Sequence, residues 1–297
     1  MIHYSECPVC SGTSISKVFS CQDYTVSQKF FNIYECANCT LRFTQDVPEL
    51  GEIGKYYASE DYISHSDTNK GFINKLYHSI RKFTLNQKKN LLLDTTKLER
   101  GKILDIGCGT GSFLEIMQTA GWETVGLEPD TEARKLTAAK HIECFEPNHL
   151  FNFPEKQFDV ITLWHVLEHV HDLHNYIIQI KKLLKKNGLL VIAVPNYTST
   201  DASHYDAFWA AYDVPRHLYH FSPNAMKILL EKHQFTIESI KPMWFDSYYV
   251  SLLSERYKEN DLGILKAIKH GTISNYNALL NPKLSSSIIY LIRSSAD

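Results

Sequence analysis

The feature that most restricts the fold is a glycine-rich loop directly after an apolar segment. Residues 103–111 read ILDIGCGTG, with Gly107, Gly109 and Gly111 at every second position. Glycine permits a sharp turn and lets a ligand approach main-chain N–H groups at the start of a helix. The motif therefore predicts a strand, a ligand-binding turn and a helix in succession.

From Gly101 onward, apolar segments alternate with helical ones. Strands are predicted at 102–106, 123–127, 141–145, 158–163, 189–194, 235–241 and 244–251, and helices at 111–120, 130–140, 172–186 and 223–234. The segment around Gly188 is expected to end a helix, and Ser222 is expected to cap the next one. This βαβα order indicates an α/β fold with a parallel sheet of seven strands and helices on both faces.

Charge and pattern change near residue 60. Residues 1–60 carry four basic and seven acidic side chains, a net charge of −3, whereas residues 61–100 carry eight basic and four acidic ones, a net charge of +4. We therefore expect a small β-rich module at 1–60, a helical connector at 61–100, a domain at 101–251 with an insertion at 195–221, and a helical extension at 252–297.

Two C-x2-C pairs lie within the first 39 residues, Cys7 with Cys10 and Cys36 with Cys39. Two thiolates at this spacing can hold one face of a tetrahedral ion, and two pairs complete the four-thiolate shell of structural zinc. Such a shell has no open position for catalysis. We therefore predict a zinc-ribbon-like module whose metal is architectural. The other cysteines, Cys21, Cys108 and Cys144, are expected to be buried thiols.

Charge and hydropathy exclude several classes of partner. The chain has 31 basic and 33 acidic side chains, a formal net charge of −2, which disfavours a general nucleic-acid binder. Its first residues, MIHYSECPVC, lack the basic start and long apolar run of a signal peptide, and the apolar stretch 189–195 is too short to cross a bilayer. These features predict a cytoplasmic protein with no membrane contact.

The segment LDIGCGTG resembles the first motif of class I S-adenosylmethionine-dependent methyltransferases. A dinucleotide-binding fingerprint fits less well, because its third glycine would fall on Ser112 and Asp105 would have no role. The resemblance implies a Rossmann-like, doubly wound sheet and a binding site for S-adenosylmethionine. In that family a second acid at the end of the second strand binds the ribose hydroxyls, and Glu128 lies 23 residues after Asp105. The cofactor-binding residues implied here are Asp105, Gly107, Cys108, Gly109, Gly111, Glu128 and Pro129.

Two further positions complete the expected cofactor site. The usual acid near the adenine has no clear match, and Glu146 or Asn148 is the substitute. Residues 158–170, FDVITLWHVLEHV, again resemble the family. Trp164 and His165 follow the fourth predicted strand, at the edge where open α/β sheets bind ligands. The Trp164 ring is expected to lie near the positive sulfur of the cofactor.

Methyl transfer to a neutral acceptor needs alignment and, for a hydroxyl, a base for its proton. Histidine suits that role near neutral pH. The candidate bases are His165, beside the predicted cofactor crevice, and His217 and His220 of the insertion, and the two histidines of the insertion are favoured. Arg216 is expected to bind a carboxylate or phosphate of the acceptor, and the rings expected to stack on it are Trp209, Tyr212 and Tyr219.

Three classes of methyl acceptor are compatible with the sequence: a sugar-like small molecule, an RNA, and a small aromatic or quinone-type molecule. Residues 34–43 and 56–62 resemble methyltransferases with an N-terminal four-cysteine module, which modify nucleotide sugars and surface polysaccharides, and this favours a sugar-like acceptor. The first alternative is a ribosomal or transfer RNA, which the net charge of −3 over residues 1–60 opposes. The second is a small aromatic or quinone-type hydroxyl.

Overall fold

The computed structural model describes residues 1–57, 72–259 and 263–295, with side chains from residue 83 onward in the helix that begins at Phe72. The N-terminal elements are β1 (Ile15–Gln22), β2 (Phe30–Cys36), β3 (Arg42–Thr44), α1 (Leu50–Ile53) and α2 (Phe72–Thr96). Residues 58–71 lie outside the described residues, and with them most of the 56–62 motif and the start of the expected connector.

The central elements are β4 (Lys102–Ile106), α3 (Ser112–Thr119), β5 (Glu123–Leu127), α4 (Thr131–Ala138), β6 (Glu143–Phe145), β7 (Phe158–Trp164), α5 (Leu173–Leu183) and β8 (Leu184–Pro195). The last part contains α6 (Thr200–Tyr205), β9 (Tyr219–His220), α7 (Pro223–Lys232), β10 (Phe235–Pro242), α8 (Asp246–Glu259), α9 (Ile264–Leu280) and β11 (Ser287–Ser294). Short 3-10 helices include Pro147–Asn152 and Leu167–His169. None of the helices among these residues combines the length and apolarity that a bilayer crossing needs.

One sheet has seven strands in the order β10-β11-β8-β7-β4-β5-β6. Strands β4, β5, β6 and β7 pair in parallel, and the register places Asp105 beside both Gly126 and Thr162. Parallel strands covered on both faces read as continuous apolar runs, and Leu104 and Ile161 are fully buried in two of them. The predicted Rossmann-like α/β sheet of seven strands is confirmed.

The chain forms two compact units, each described by itself. The cysteine unit takes its described residues from Met1–Ser64, His165–Tyr176 and Ala193–Leu291, and the glycine-loop unit takes its own from His65–Trp164, Ile177–Ile192 and Ile292–Asp297. Within the cysteine unit, β1, β2, β3 and β9 form an antiparallel sheet in that order, with Arg42 opposite His220.

Several predicted elements are correct in position. Strands β4 and β5 match the predicted 102–106 and 123–127 residue for residue. Helix α7 begins where expected, because the Ser222 hydroxyl accepts a hydrogen bond from the Ala225 N–H. This bond satisfies one of the backbone donors that a helix N-terminus leaves without an intrahelical partner.

The expected helix end near Gly188 is wrong, because α5 ends at Leu183 and Gly188 lies inside β8. Asn187 has a φ of 65°, so the strand deforms locally at this point. A Cβ added to Gly188 would lie 2.9 Å from the Lys185 carbonyl oxygen. The glycine therefore serves a close approach of backbone to backbone within the strand.

The seventh strand is also misplaced in the prediction. Residues 244–251 fall largely in α8 and not in a strand, while β11 lies in the 252–297 segment that was expected to be helical. Three of the five buried residues of α8 are serines, namely Ser247, Ser251 and Ser254. Gly271 of α9 faces it so closely that an added Cβ would lie 2.6 Å from the Tyr248 ring. A face of small residues carries little hydropathy signal, so the helical period is hidden.

Candidate cofactor and metal sites

The glycine loop joins β4 to α3 in the glycine-loop unit. Gly107, Gly109 and Gly111 have φ values of 71°, 54° and 72°, in the left-handed region that side chains other than glycine rarely adopt. A Cβ at Gly109 would have no described atom within 4 Å, whereas one at Gly111 would lie 2.7 Å from the Thr137 side chain. Gly109 thus borders space beside the main chain, and Gly111 permits the loop to pack against α4.

Glu128 follows β5 and is 8% exposed. One carboxylate oxygen, Oε2, accepts a hydrogen bond from the Gly109 N–H at 2.8 Å, and the other, Oε1, accepts one from the Asp130 N–H at 3.0 Å. Burial raises the pKa of Glu128 above its ordinary value. The Arg134 guanidinium also donates to the backbone oxygens of Glu128 and Pro129, so the position of this carboxylate is fixed from several sides.

Asp105 lies near the end of β4 and is 2% exposed. Its Oδ1 accepts a hydrogen bond of 2.6 Å from the Thr162 hydroxyl on the neighbouring strand. Burial raises the pKa of Asp105 to about 7, against the opposing effects of the Thr162 hydrogen bond and the Lys88 charge. The carboxyl group therefore takes up its proton at a higher pH than an exposed aspartate does.

Trp164 ends β7, and its ring meets Phe113 edge to face at a centroid distance of 5.7 Å. The Lys88 ammonium, on α2, lies 4.1 Å from the centroid of the same ring. Lys88 thus makes a cation–π contact with this ring, and the expected contact of the ring with the positive sulfur of a cofactor stays a prediction. Lys88 had no distinguishing signal, because it is one of eight basic residues between 61 and 100.

The predicted adenine contact and the loop cysteine occupy different surroundings. Asn148 is exposed in the 3-10 helix that follows β6, and its assignment stays a prediction. Cys108, between two loop glycines, is 8% exposed, and its sulfur lies 3.5 Å from that of Cys144 on β6.

The four predicted metal ligands converge in the cysteine unit. Their sulfur atoms all lie within 4.8 Å of one another, with 3.4 Å between Cys7 and Cys39 and 3.6 Å between Cys10 and Cys36. Zinc–sulfur bonds of about 2.3 Å in a tetrahedron place sulfur atoms about 3.8 Å apart. The four side chains therefore fit a tetrahedral zinc ion.

The backbone around each cysteine pair folds in the same way. The Ser11 N–H donates to the Cys7 carbonyl, and the Thr40 N–H donates to the Cys36 carbonyl, both at 2.9 Å. Ser11 and Thr40 have φ values of 58° and 59°. Two equivalent turns thus present two thiols each, the arrangement that the C-x2-C spacing predicts for a structural metal site.

His165, also in the cysteine unit, is partly exposed and has a carboxylate neighbour. Its Nδ1 lies 3.4 Å from Oε1 of Glu168, whose side chain is fully buried, and its Nε2 lies 3.4 Å from the Met243 sulfur. Among the described residues, neither Glu168 oxygen accepts a hydrogen bond of good geometry. Burial opposes ionisation of Glu168, yet its pKa is lowered because the imidazoles of His165 and His169 lie close.

The other two candidate bases point into the interior of the same unit. The Nδ1 of His217 lies 2.8 Å from the Ala211 carbonyl oxygen, and the Nε2 of His220 lies 3.1 Å from the Thr44 hydroxyl. His220 is 3% exposed, and burial lowers its pKa well below the ordinary value.

Glu168 and His169 are adjacent, and residues so placed on a helix diverge by about 100°, which argues against a shared metal. In the folded chain His217 lies close to these two residues, and one possible ligand atom from each of Glu168, His169 and His217 lies within 4.8 Å of the other two. His169 lies edge to face with His217 at 4.6 Å. Burial lowers the pKa of His169 to about 4, so its ring is neutral at pH 7.

The expected acceptor contacts of Arg216 are wrong. This residue is 1% exposed, and its guanidinium donates to Asp23, to Asp213 and to the Tyr56 carbonyl oxygen at 2.5–3.0 Å. The two carboxylates and the carbonyl oxygen accept hydrogen bonds from the guanidinium N–H groups that an external anion would need. Arg216 therefore holds parts of the cysteine unit together.

The expected stacking rings are likewise internal. Trp209, Tyr212 and Tyr219 are each at most 3% exposed. The Trp209 indole donates to Asp201 at 2.9 Å, and the Tyr212 hydroxyl accepts from Arg42 at 2.8 Å. Polar tips of buried aromatic rings need such partners, so these rings serve packing and not the binding of an acceptor.

Comparison with known proteins identifies the family of this chain. A family model described as "Methyltransferase domain" matches residues 77–240, which is more than half of the chain. The match covers the glycine loop, both buried acids and the segment that contains His165.

Curated relatives share this part of the sequence. The chain is 35% identical over 138 residues to the ubiquinone biosynthesis O-methyltransferase of Glaesserella parasuis, covering 42% of this chain and 55% of that one. It is 38% identical over 109 residues to the enzyme of the same name from Pelagibacter ubique, covering 34% and 45%. The matching part thus spans about half the length of these relatives.

Solved structures share the fold. A SAM-dependent methyltransferase from Archaeoglobus fulgidus has a TM-score of 0.50 and 21% identity, covering 72% of this chain and 94% of that one. The [4+2]-cyclase SpnF also has a TM-score of 0.50, with 16% identity and coverage of 71% and 82%. Because the second is named as a cyclase, the fold by itself does not fix the reaction. The family match carries the assignment, and the chain belongs to the methyltransferase-domain family, with the Rossmann-like fold of class I S-adenosylmethionine-dependent methyltransferases.

Proposed function

We propose that this chain transfers the methyl group of S-adenosylmethionine to a small-molecule acceptor. The observation that carries the proposal is the pair of buried acids, Asp105 and Glu128, at the ends of adjacent parallel strands and beside the glycine loop. Ligands of open α/β sheets bind at this edge. The carboxylates accept hydrogen bonds from the Thr162 hydroxyl and from the Gly109 and Asp130 N–H groups, which hold them in place, and a cofactor with an ammonium group and a cis-diol would use both.

Each acid has a separate role in this proposal. Asp105 accepts from the ammonium group of the methionine part, and Glu128 accepts from the two ribose hydroxyls. Each Glu128 oxygen already accepts one backbone N–H, which orients it and leaves further lone pairs for the ribose. The space beside Gly109 admits the cofactor against the main chain.

The ionisation of Asp105 predicts a pH dependence of cofactor binding. Because the pKa of Asp105 is raised to about 7, the carboxylate that binding needs is lost as pH falls through 7. The affinity for S-adenosylmethionine should then fall about tenfold for each further pH unit, until the cofactor-bound pKa is reached. Isothermal titration calorimetry between pH 5.5 and 8 measures this decrease in affinity.

Two variants separate Asp105 from other titrating groups. In Asp105→Asn the affinity should be low and nearly independent of pH. In Lys88→Met the midpoint should move to higher pH, because the Lys88 ammonium favours the ionised form. If the affinity of Asp105→Asn still fell with decreasing pH as in the wild type, the pH dependence would belong to another residue.

We further propose that Cys7, Cys10, Cys36 and Cys39 hold one structural zinc ion. Four thiolates leave no coordination position for a substrate. The ion would fix the two cysteine turns relative to each other and thereby the end of β2, which contains Cys36. Its contribution would be to folding and not to the methyl-transfer step.

For the acceptor, we propose a hydroxyl group of a small molecule. The curated relatives are named as ubiquinone biosynthesis O-methyltransferases, which supports a small aromatic or quinone-type hydroxyl, although their similarity lies in the part that includes the cofactor loop. The four-cysteine cluster supports a sugar-like hydroxyl through the resemblance described above. RNA is disfavoured by the net charge of −3 over residues 1–60.

A methyl-transfer assay tests the function directly. The full chain is incubated with methyl-labelled S-adenosylmethionine and three separate pools, namely catechols and other phenols, nucleotide sugars, and total RNA. We expect label in one of the small-molecule pools, and its absence in a variant with both Asp105→Asn and Glu128→Gln. Label confined to RNA would overturn the assignment of the acceptor, and label in no pool despite cofactor binding would overturn the activity.

Among the three candidate bases, we propose His165. It follows Trp164 directly in the chain, it is partly exposed, and the carboxylate of Glu168 near its Nδ1 stabilises the protonated ring that forms when Nε2 takes a proton. His217 and His220, which the sequence favours, are only 9% and 3% exposed, which weighs against contact with an acceptor, and their role stays a prediction. A positioned general base contributes about 10²–10⁴-fold to a rate.

The prediction is a fall of about 10²-fold or more in kcat for His165→Gln, with loss of the acidic limb of the kcat profile. The control is His3→Gln, an exposed histidine paired with Asp46, which should retain full turnover. A loss of this size in His217→Gln or His220→Gln, with His165→Gln unaffected and all variants folded, would transfer the role to that histidine.

A further inference from the structure

Cys108 and Cys144 form a second pair of sulfur atoms, apart from the four-cysteine cluster. Cys108 lies between Gly107 and Gly109 in the loop, and Cys144 is the middle residue of β6. Their sulfur atoms are 3.5 Å apart. A disulfide bond is about 2.05 Å long, so an approach of about 1.5 Å would join them.

The local backbone allows this approach. The glycines on both sides of Cys108 have positive φ values of 71° and 54°, in conformations that glycine adopts at little cost. Gly126 of β5 pairs with Cys144 in the sheet, and a Cβ added to it would lie 2.5 Å from the Cys108 sulfur. The missing side chain at Gly126 is therefore what lets the two sulfur atoms meet across the strand.

The two thiols differ in reactivity. Cys144 is partly exposed, and the hydrogen bond between its sulfur and that of Cys108 lowers its pKa. Cys108 is nearly buried, and its pKa is raised by that same hydrogen bond and by burial. Cys144 is thus the thiol that ionises first and can be reached by an oxidant. Cys108 is the neighbouring thiol that then reacts with the oxidised Cys144.

We propose that Cys108 and Cys144 form a reversible disulfide that weakens binding of the cofactor by the glycine loop. The oxidant is a small disulfide such as oxidised glutathione. The Cys144 thiolate attacks one of its sulfur atoms and expels one thiolate, which forms a mixed disulfide. Cys108 then loses its proton and its sulfur displaces the second small thiolate. Two protein thiols are oxidised, one small disulfide is reduced to two thiols, and the released protons pass to those thiols.

The consequence for the cofactor rests on the proposed function of the loop. The N–H of Gly109, next to Cys108, donates to the Glu128 oxygen at 2.8 Å, and this contact orients the proposed ribose-binding carboxylate. Drawing Cys108 toward β6 displaces that N–H. Because coupling between two equilibria is reciprocal, a tenfold loss of affinity on oxidation means that bound cofactor shifts the disulfide equilibrium tenfold toward the thiols, about 30 mV.

The experiment uses the full chain equilibrated with mixtures of oxidised and reduced glutathione. After free thiols are blocked, tryptic digestion should yield peptide 103–134 linked to peptide 141–156, and the four-cysteine ligands lie on other peptides. Calorimetric titration with S-adenosylmethionine should show about tenfold weaker binding to the oxidised protein, restored by dithiothreitol. The control Cys144→Ser, treated in the same way, should keep the affinity of the reduced protein.

The outcomes separate this inference from the proposed function. Absence of the linked peptide over the full range of glutathione mixtures overturns the disulfide. A linked protein with unchanged affinity overturns its effect on the loop. If oxidised Cys144→Ser loses as much affinity for S-adenosylmethionine as the oxidised wild type, the loss is due to other cysteines. This result also overturns the proposed effect of the Cys108–Cys144 disulfide. Failure of the reduced protein to bind S-adenosylmethionine overturns the proposed cofactor site instead, while the peptide map still decides the disulfide.

Discussion

Replacing Glu128 by Gln is expected to weaken the binding of S-adenosylmethionine by about 100-fold. Each hydrogen bond from a neutral donor to a buried carboxylate contributes about 1.5–3 kcal/mol, and two ribose hydroxyls use this one. A loss of about 3 kcal/mol corresponds to about 100-fold in the dissociation constant. The amide also turns an NH2 group toward one of the two backbone N–H groups that now donate to Glu128.

The matched control is Glu132→Gln. Glu132 lies on α4, pairs with Lys135 and is 75% exposed, so the same chemical change occurs a few residues away without burial. Calorimetry at pH 8 should give the wild-type affinity for this control, and circular dichroism should show that both variants are folded. An affinity for Glu128→Gln within about threefold of the wild type would contradict the assignment of the ribose contact.

Replacing Cys39 by Ser is expected to remove the zinc and to unfold the N-terminal sheet. Strand β3 has only three residues, and small modules with a four-cysteine metal site depend on their metal for folding free energy. Metal analysis of the purified wild-type chain should give one zinc per chain, and of the variant close to none. The thermal unfolding midpoint should fall by 10 °C or more, and a strong chelator should have the same effect on the wild type.

Cys21 provides the control for this change. It is 2% exposed and lies in β1 of the same unit, outside the four-sulfur cluster. Cys21→Ser should therefore lose some stability through burial of a hydroxyl, yet retain one zinc per chain. A wild-type protein without bound metal, or an unfolding midpoint that no chelator changes, would show that the four thiols have another role.

The sheet and the cofactor loop could be predicted because their signals are local. A buried parallel strand needs an uninterrupted apolar run, and a loop that must turn sharply and admit a ligand needs glycine. Asp105 lies in such a run and Glu128 follows one, and their expected roles came from the resemblance to class I S-adenosylmethionine-dependent methyltransferases. The spacing between them reflects the length of one helix and one loop, which varies little in a βαβ unit.

The wrong predictions share a different physical cause. A sequence shows that Arg216 is a cation but not which groups surround it, and its partner Asp23 lies 193 positions away. The same holds for Trp209 and its partner Asp201, and for Lys88 on the ring of Trp164. The residue type does not show whether a side chain is paired inside the fold or binds a ligand. Only the long-range packing of the folded chain distinguishes the two.

The pairing of β3 with β9 has a consequence for the synthesis of the chain. Arg42 pairs with His220, so the edge of the N-terminal sheet stays open until the ribosome has added about 180 further residues, which takes about 10–35 s at bacterial or slower rates. An open strand edge invites pairing with another nascent chain. Expression at low temperature or with a chaperone should therefore improve the yield of full-length protein more than it improves the yield of fragments that lack β1, β2 and β3.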